Sequence, residues 1–205
     1  MQKILIIFTF FILVTLNSNA QNVSIGPTIG LNYTKVSDDA SEFKPGFNGG
    51  IFINYSTKTD FGFNGSIIFT QLGGDVANSD NYIRLNYLQV PINLVYYFGE
   101  GMKKGSFRPK VFLGPYIGYL LSARSPGFTN EQTLNQMNTN DLGINVGAGF
   151  NLAIQSKTWI NVDLKYGHGL TQVPKILNYQ NRALSLNVGI SFPLGTYDKK
   201  TGKMK

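Results

Sequence analysis

The chain has 205 residues with a single histidine, His168, and no cysteine. That removes a thiolate nucleophile, a disulfide scaffold and a cysteine-ligated metal. A hydrolase would need His168 beside a nucleophile and an orienting acid. It is followed by Gly169, Leu170 and Thr171, with no serine two residues on. The closest acid before it, Asp163, has the opposite parity along the strand. Gly147-Ala148-Gly149 and the Gly114 to Gly118 stretch are not phosphate loops, because both lie within strand-like patterns and no helix follows. Asn22, Asn32, Asn54 and Asn64 begin glycosylation-type triplets, but the last three share the inward parity and chance explains the first. No catalytic set, metal or cofactor is expected. The remaining ionisable candidates are Lys110, Asp141, Asp163 and Lys165, and what they can do depends on where each points.

The elements that position them alternate with period two, the strand signature. In the first segment Val23, Ile25, Pro27, Ile29, Leu31 and Tyr33 share one face, against Ser24, Gly26, Thr28, Gly30 and Asn32. Eight such segments are predicted, at about 23–33, 47–55, 61–69, 82–98, 109–122, 141–155, 159–171 and 183–194. No stretch shows helical periodicity, so no helix is expected. Of the 47 positions on the apolar faces, none is Asp, Glu, Lys or Arg, which a solvated surface would not require. The opposite face is rich in Gly, Asn, Ser and Thr, small enough for a narrow interior.

The apolar face is too large to fill an eight-stranded barrel, whose interior holds little. It fits lipid, where a Lys or Arg at mid-depth costs roughly 2–4 kcal/mol. Strands in a bilayer must close, since no water is present to satisfy an edge. The expected fold is therefore all-β: an eight-stranded antiparallel up-and-down transmembrane β-barrel. Tyr33, Tyr55, Phe61, Phe69, Tyr96, Phe98, Tyr119, Tyr166 and Phe192 lie near strand ends and suit interfacial girdles. Lys110, Asp141, Asp163 and Lys165 fall on the inward parity, with Asp141 at the outer mouth. A polar pore is one reading of them. An interior network of ion pairs and hydrogen bonds is the one expected, because side chains usually fill so small a barrel.

Joins after the second, fourth and sixth strands (56–60, 99–108 and 156–158) are compact. Those after the first, third, fifth and seventh (34–46, 70–81, 123–140 and 172–182) are longer. Short periplasmic turns facing longer outer loops give this pattern and put both termini in the periplasm. The longest loop, rich in Asn, Gln and Thr, is expected to be mobile. Pro27, Pro91 and Pro115 sit inside predicted strands and should each mark a bulge or a border. Ile83 and Leu85 fall out of phase with Leu88 to Phe98, which suggests a bulge near Pro91.

Residues 1–20 read as a cleaved secretory signal peptide: Lys3, then an apolar run from Ile4 to Leu16, then Ser18 and Ala20 at the cut. Residues 21–195 then form the barrel, and 196–205 a basic periplasmic tail. The formal charge of +7 invites a nucleic-acid reading. Yet the positive excess collects on the terminal-end turns and tail, at Lys58, Lys103, Lys104, Arg108, Lys157, Lys199, Lys200, Lys203 and Lys205. A periplasmic end meets no nucleic acid. Acidic headgroups or an acidic periplasmic partner fit it, as does a merely solubilising tail.

Four stretches carry a resemblance. They are Leu85-Asn86-Tyr87-Leu88-Gln89-Val90-Pro91 running on to Tyr96-Tyr97-Phe98, and Gly114-Pro115-Tyr116-Ile117-Gly118-Tyr119. Asp141-Leu142-Gly143-Ile144-Asn145-Val146-Gly147-Ala148-Gly149 and Asp163 to Thr171 complete the set. In order and spacing the chain resembles the PorT-like, or porin-family, outer-membrane β-barrel proteins of Gram-negative bacteria. The resemblance implies an eight-stranded outer-membrane barrel and no single activity. The expected role is non-enzymatic, structural or surface-interacting, through loops 34–46 and 123–140. The alternatives are an accessory of a secretion or transport complex, or a small channel. Expected partners are outer-membrane lipid and lipopolysaccharide, and a periplasmic or secretion-complex protein.

Overall fold

Alternation of residue type becomes alternation of exposure. In β1 (Val23–Val36) the outward Ile29, Leu31 and Tyr33 are 71%, 69% and 51% exposed, while Thr28, Asn32 and Thr34 between and beyond them are buried. The computed structural model describes residues 23–36, 41–56, 60–76, 82–99, 105–155, 158–175 and 179–194. The predicted signal peptide and basic tail lie outside these residues. After β1 come β2 (Ser41–Glu42), β3 (Lys44–Ser56), β4 (Phe61–Val76), β5 (Tyr82–Tyr97) and β6 (Phe107–Arg124). Then follow a short helix α1 (Asn130–Gln136), β7 (Asn140–Gln155), β8 (Thr158–Gly169) and β9 (Asn181–Pro193).

All pairings are antiparallel, in the order β2-β4-β3-β1-β9-β8-β7-β6-β5, and β4 pairs with β5 to close the ring. The two-residue β2 only extends the rim, opposite Asp75 and Val76 of β4. Eight strands thus form a closed up-and-down barrel with no free edge, the condition for backbone in lipid. β1 and β9 seam the two ends of the described chain, with Tyr33 opposite Leu184 and Ile25 opposite Phe192. One rim carries both ends of the barrel sequence, near Val23 and Leu194, and is called here the terminal end. The far end carries β2 and the described loop residues 125–139, 170–175 and 179–180.

Several expectations change. β4 runs to Val76, so most of the predicted 70–81 loop is strand paired up to Asp75 opposite Tyr82. Within this stretch Gly73 takes φ 131° inside the ladder, a conformation open to glycine. The three prolines mark neither bulge nor border. Each coincides with two pairs missing from one ladder while the register holds on both sides: Pro27 in β1–β9, Pro91 in β4–β5 and Pro115 in β5–β6. A bulge does fall between Leu85 and Leu88, at Asn86/Tyr87 in the β5–β6 ladder, but the extra residue is Leu121 of β6. β5 itself alternates without a slip, and Leu85 and Tyr87 point inward, each fully buried.

The loop expected to be mobile folds. Thr129 accepts the Gln132 backbone N–H, and the Gln132 side chain accepts the Thr129 N–H: a capping box that starts α1. Seven residues are too few for a periodicity to register, which is why the helix escapes a pattern search.

The outer wall sets one expected result. Leu186 sits mid-strand in β9 and is 51% exposed. Leu186→Lys should lower unfolding free energy in phospholipid vesicles by roughly 2–4 kcal/mol. The measurement is urea unfolding followed by the heat-dependent gel shift; a cost below about 0.5 kcal/mol would mean this wall does not meet lipid.

Candidate functional site: the barrel interior and its cap

The interior is built in layers. Nearest the terminal end, Val95, Tyr97 and Phe112 form a small buried cluster. Arg108 lies over the Tyr97 ring, its Cζ 4.6 Å from the centroid. Beside them Lys110 of β6, opposite Tyr97 in the ladder, meets Asp163 of β8: Lys110 Nζ donates to Asp163 Oδ2 at 3.1 Å and stands 2.8 Å from Oδ1. Both strands pair with Gly149 of β7 at this level, so the missing side chain there leaves the bore open between the two charges. Lys165 shares the inward parity of Asp163 and lines the same cavity of about 50 Å³. At roughly 10–15 Å³ of such space per water, that is room for a few molecules and no larger ligand. Asn93, Asn161 and Asn187 also line it, and their Oδ1 atoms accept no hydrogen bond from the described protein atoms.

Asp141 stands apart, toward the far end. Only 1% exposed, it accepts from Tyr116 Oη at 3.3 Å, Asn181 Nδ2 at 3.0 Å and Thr171 Oγ1 at 3.2 Å. The four interior residues therefore form two groups. Lys110, Asp163 and Lys165 line one cavity; Asp141 is held at another level by neutral donors. Tyr116, Thr171 and Asn181 were not singled out in the sequence. Tyr116 had a signal, its inward parity between Gly114 and Gly118 in β6.

Beyond Asp141 the barrel is capped. Leu72, Leu85, Tyr87, Leu120 and Ala123 from the strands pack with Met137 from the β6–β7 loop and Val173 from the β8–β9 loop. The two loops are joined by backbone. Asn138 N–H donates to Val173 O at 2.8 Å, and Lys175 N–H to Gln136 O at 2.9 Å, flanking a bridge between Met137 and Pro174. Lys175 Nζ adds a bond to Asn135 O at 2.8 Å.

Aromatic side chains lie near both rims. Toward the far end Tyr33 stacks on Phe43 at 4.8 Å, Phe69 packs on Phe47 at 5.6 Å, and Tyr119 and Tyr166 face outward. Toward the terminal end Phe61 meets Tyr96 at 5.1 Å and Tyr96 meets Phe98 at 4.9 Å, with Tyr55 and Phe192 on the same outer face. Phe107 and Phe150, 5.0 Å apart, extend that row and were not singled out in the sequence. His168 shares the outward face of Tyr166, its ring centroid 6.4 Å away.

A closed eight-stranded barrel with an uncharged apolar outer wall and a polar, packed interior defines an integral outer-membrane β-barrel protein. The chain belongs to the family described as outer membrane protein beta-barrel domain, whose model matches residues 19–174. This places it in the outer membrane. The match stops before β9, the strand that completes the ring. No curated protein matches the chain. Among solved structures it is similar to Neisserial surface protein A, at TM-score 0.54 and 15% identity over 82% of this chain and 97% of that one. It is similar also to OprG of Pseudomonas aeruginosa, at TM-score 0.50 and 13% identity over 86% and 98%. At such identities the likeness is one of fold.

Proposed function

We propose that this protein is a non-enzymatic, non-conducting barrel of the PorT-like kind, exported by a cleaved signal peptide, with its far end outside the cell. There it acts through surface interaction, presenting loops 34–46 and 123–140. The observation that carries this reading is the cap. Two far-end loops are fastened to each other and to the barrel wall by one buried apolar cluster. A seal of Leu, Tyr, Met and Val suits a rigid platform and opposes ion passage, since an ion entering it would lose its hydration without replacement. Phe128, on the long loop, is 56% exposed and gives that loop an accessible apolar side chain.

The test pairs two measurements. In planar bilayers the purified barrel should show no steady conductance; a steady ohmic step would favour the channel alternative and overturn this reading. In intact cells a photocrosslinking residue at Phe128 should capture a discrete adduct, and one at Ser106 on the terminal end should not. The reverse pattern would support the secretion-complex accessory instead.

A further inference from the structure

Three adjacent strands place three nitrogen-bearing side chains in one row on the outer wall. Lys35 of β1 lies opposite Arg182 of β9, and Arg182 lies opposite His168 of β8. Strand parity turns all three outward. Two residues before Lys35 and His168, and two after Arg182, stand Tyr33, Tyr166 and Leu184, which are 51%, 39% and 42% exposed and oppose one another in the same way. The next row down is Leu31, Leu186 and Leu164. The basic row thus sits directly on the rim of the apolar belt, about 7 Å along the strands from its last members.

Like charges directly opposite in a ladder destabilise it, and among the described residues no carboxylate pairs with either of them. Among the described residues the ion pairs are Lys44–Asp75 and Lys110–Asp163, and neither involves Lys35 or Arg182. Arg182 Nε is shielded and has no hydrogen-bond partner among the described atoms. Lys35 Nζ rests 5.4 Å from the centroid of Phe43, a ring that stacks on Tyr33. A second basic pair, Arg84 opposite Arg124, differs in position. Asn86 and Ser122, bonded to each other at 2.7 Å, separate it from the apolar wall.

We propose that Lys35, Arg182 and His168 form a binding site for the phosphate group of a phosphorylated membrane lipid, whose acyl chains lie along the leucine and tyrosine rows below. Arg182 offers the planar fork that matches phosphate oxygens, and Lys35 a point charge. The His168 ring offers a further N–H donor. A soluble phosphate would meet only the polar half of this surface, whereas a lipid satisfies both halves. The proposal does not depend on what the loops bind.

The test uses the barrel in dodecyl maltoside micelles, with native mass spectrometry reading bound lipid. Probes are bis-phosphorylated lipid A and the same lipid dephosphorylated. Wild type should hold the phosphorylated form about tenfold more strongly, the scale of one charge-assisted hydrogen bond. K35Q/R182Q should lose that preference, K35R/R182K should keep it, and R84Q/R124Q should leave it intact. Heat-dependent gel mobility checks folding; if the double variant does not fold, K35Q alone should still halve the preference or more. Unchanged preference in K35Q/R182Q, or in K35Q if the double variant does not fold, overturns the proposal. So does equal loss in R84Q/R124Q. Competition by millimolar inorganic phosphate would mean an anion site without lipid, and would overturn it too.

Discussion

Asp163→Asn should be the most damaging polar substitution in the barrel, lowering unfolding free energy by roughly 3 kcal/mol. The asparagine keeps the shape and removes the charge. Lys110, only 6% exposed in its side chain, then has no counter-ion, and Lys165 faces the same cavity. A buried charge left without its partner is far more costly than the pair was stabilising, and breaking such pairs costs about 3–5 kcal/mol. The lower end applies, because Asp163 is 26% exposed to the bore and water screens part of the field. Lys110→Met combined with Asp163→Asn removes both members and should recover much of the loss. Urea titration in vesicles reads both variants. If Asp163→Asn costs less than about 0.5 kcal/mol, Lys110 is hydrated rather than paired.

Gly147→Val should prevent the barrel from closing. Gly147 of β7 lies opposite Phe112 of β6, whose ring covers it. A Cβ there would stand 2.3 Å from Phe112 Cζ and 2.5 Å from the Leu164 carbonyl oxygen. The phenyl ring can move at some expense; the carbonyl belongs to the neighbouring strand and cannot. Overpacking a core with one or two carbons costs about 1–3 kcal/mol, and valine adds three here, against backbone. The expected result is loss of the folded, heat-shifted gel band. Gly65 is the control on the outer face, where a new Cβ meets only Ile53 Cγ2 at 3.6 Å. Gly65→Ala should fold as wild type does. Wild-type stability in Gly147→Val would contradict the interior packing described above.

Both substitutions concern residues whose direction was readable before any coordinates. Parity alone sends Lys110, Asp141, Asp163 and Lys165 inward and His168 outward, because a strand's pleat alternates side chains whatever the partner. The same rule pairs exposed Ile29 and Leu31 with buried Thr28 and Asn32. Composition completes that argument: an apolar face without a charge belongs in lipid, and a face of Gly, Asn, Ser and Thr belongs in a narrow bore. It fails where a local signal misleads. Ile83 and Leu85 look out of phase only because an apolar face is assumed to point outward; they point inward to seal the mouth. Residues 70–76 read as part of a loop, and the ladder runs through them. The capping box at Thr129 and Gln132 is visible in the sequence but too short for a periodicity to find.

What the sequence by itself determines, then, is the period, the sign of each face and hence the membrane-spanning barrel. These are local or compositional properties, each fixed within one strand. What only the tertiary structure decides is which inward residues meet. Asp141 finds Asn181 forty positions away and Tyr116 twenty-five away. Lys110 finds Asp163 fifty-three away, while Lys35 lines up with Arg182 only where the ring closes. Those contacts depend on register, stagger and closure summed around eight strands. A side chain's alternation records none of these, since a shift of two residues leaves every face unchanged and alters every neighbour.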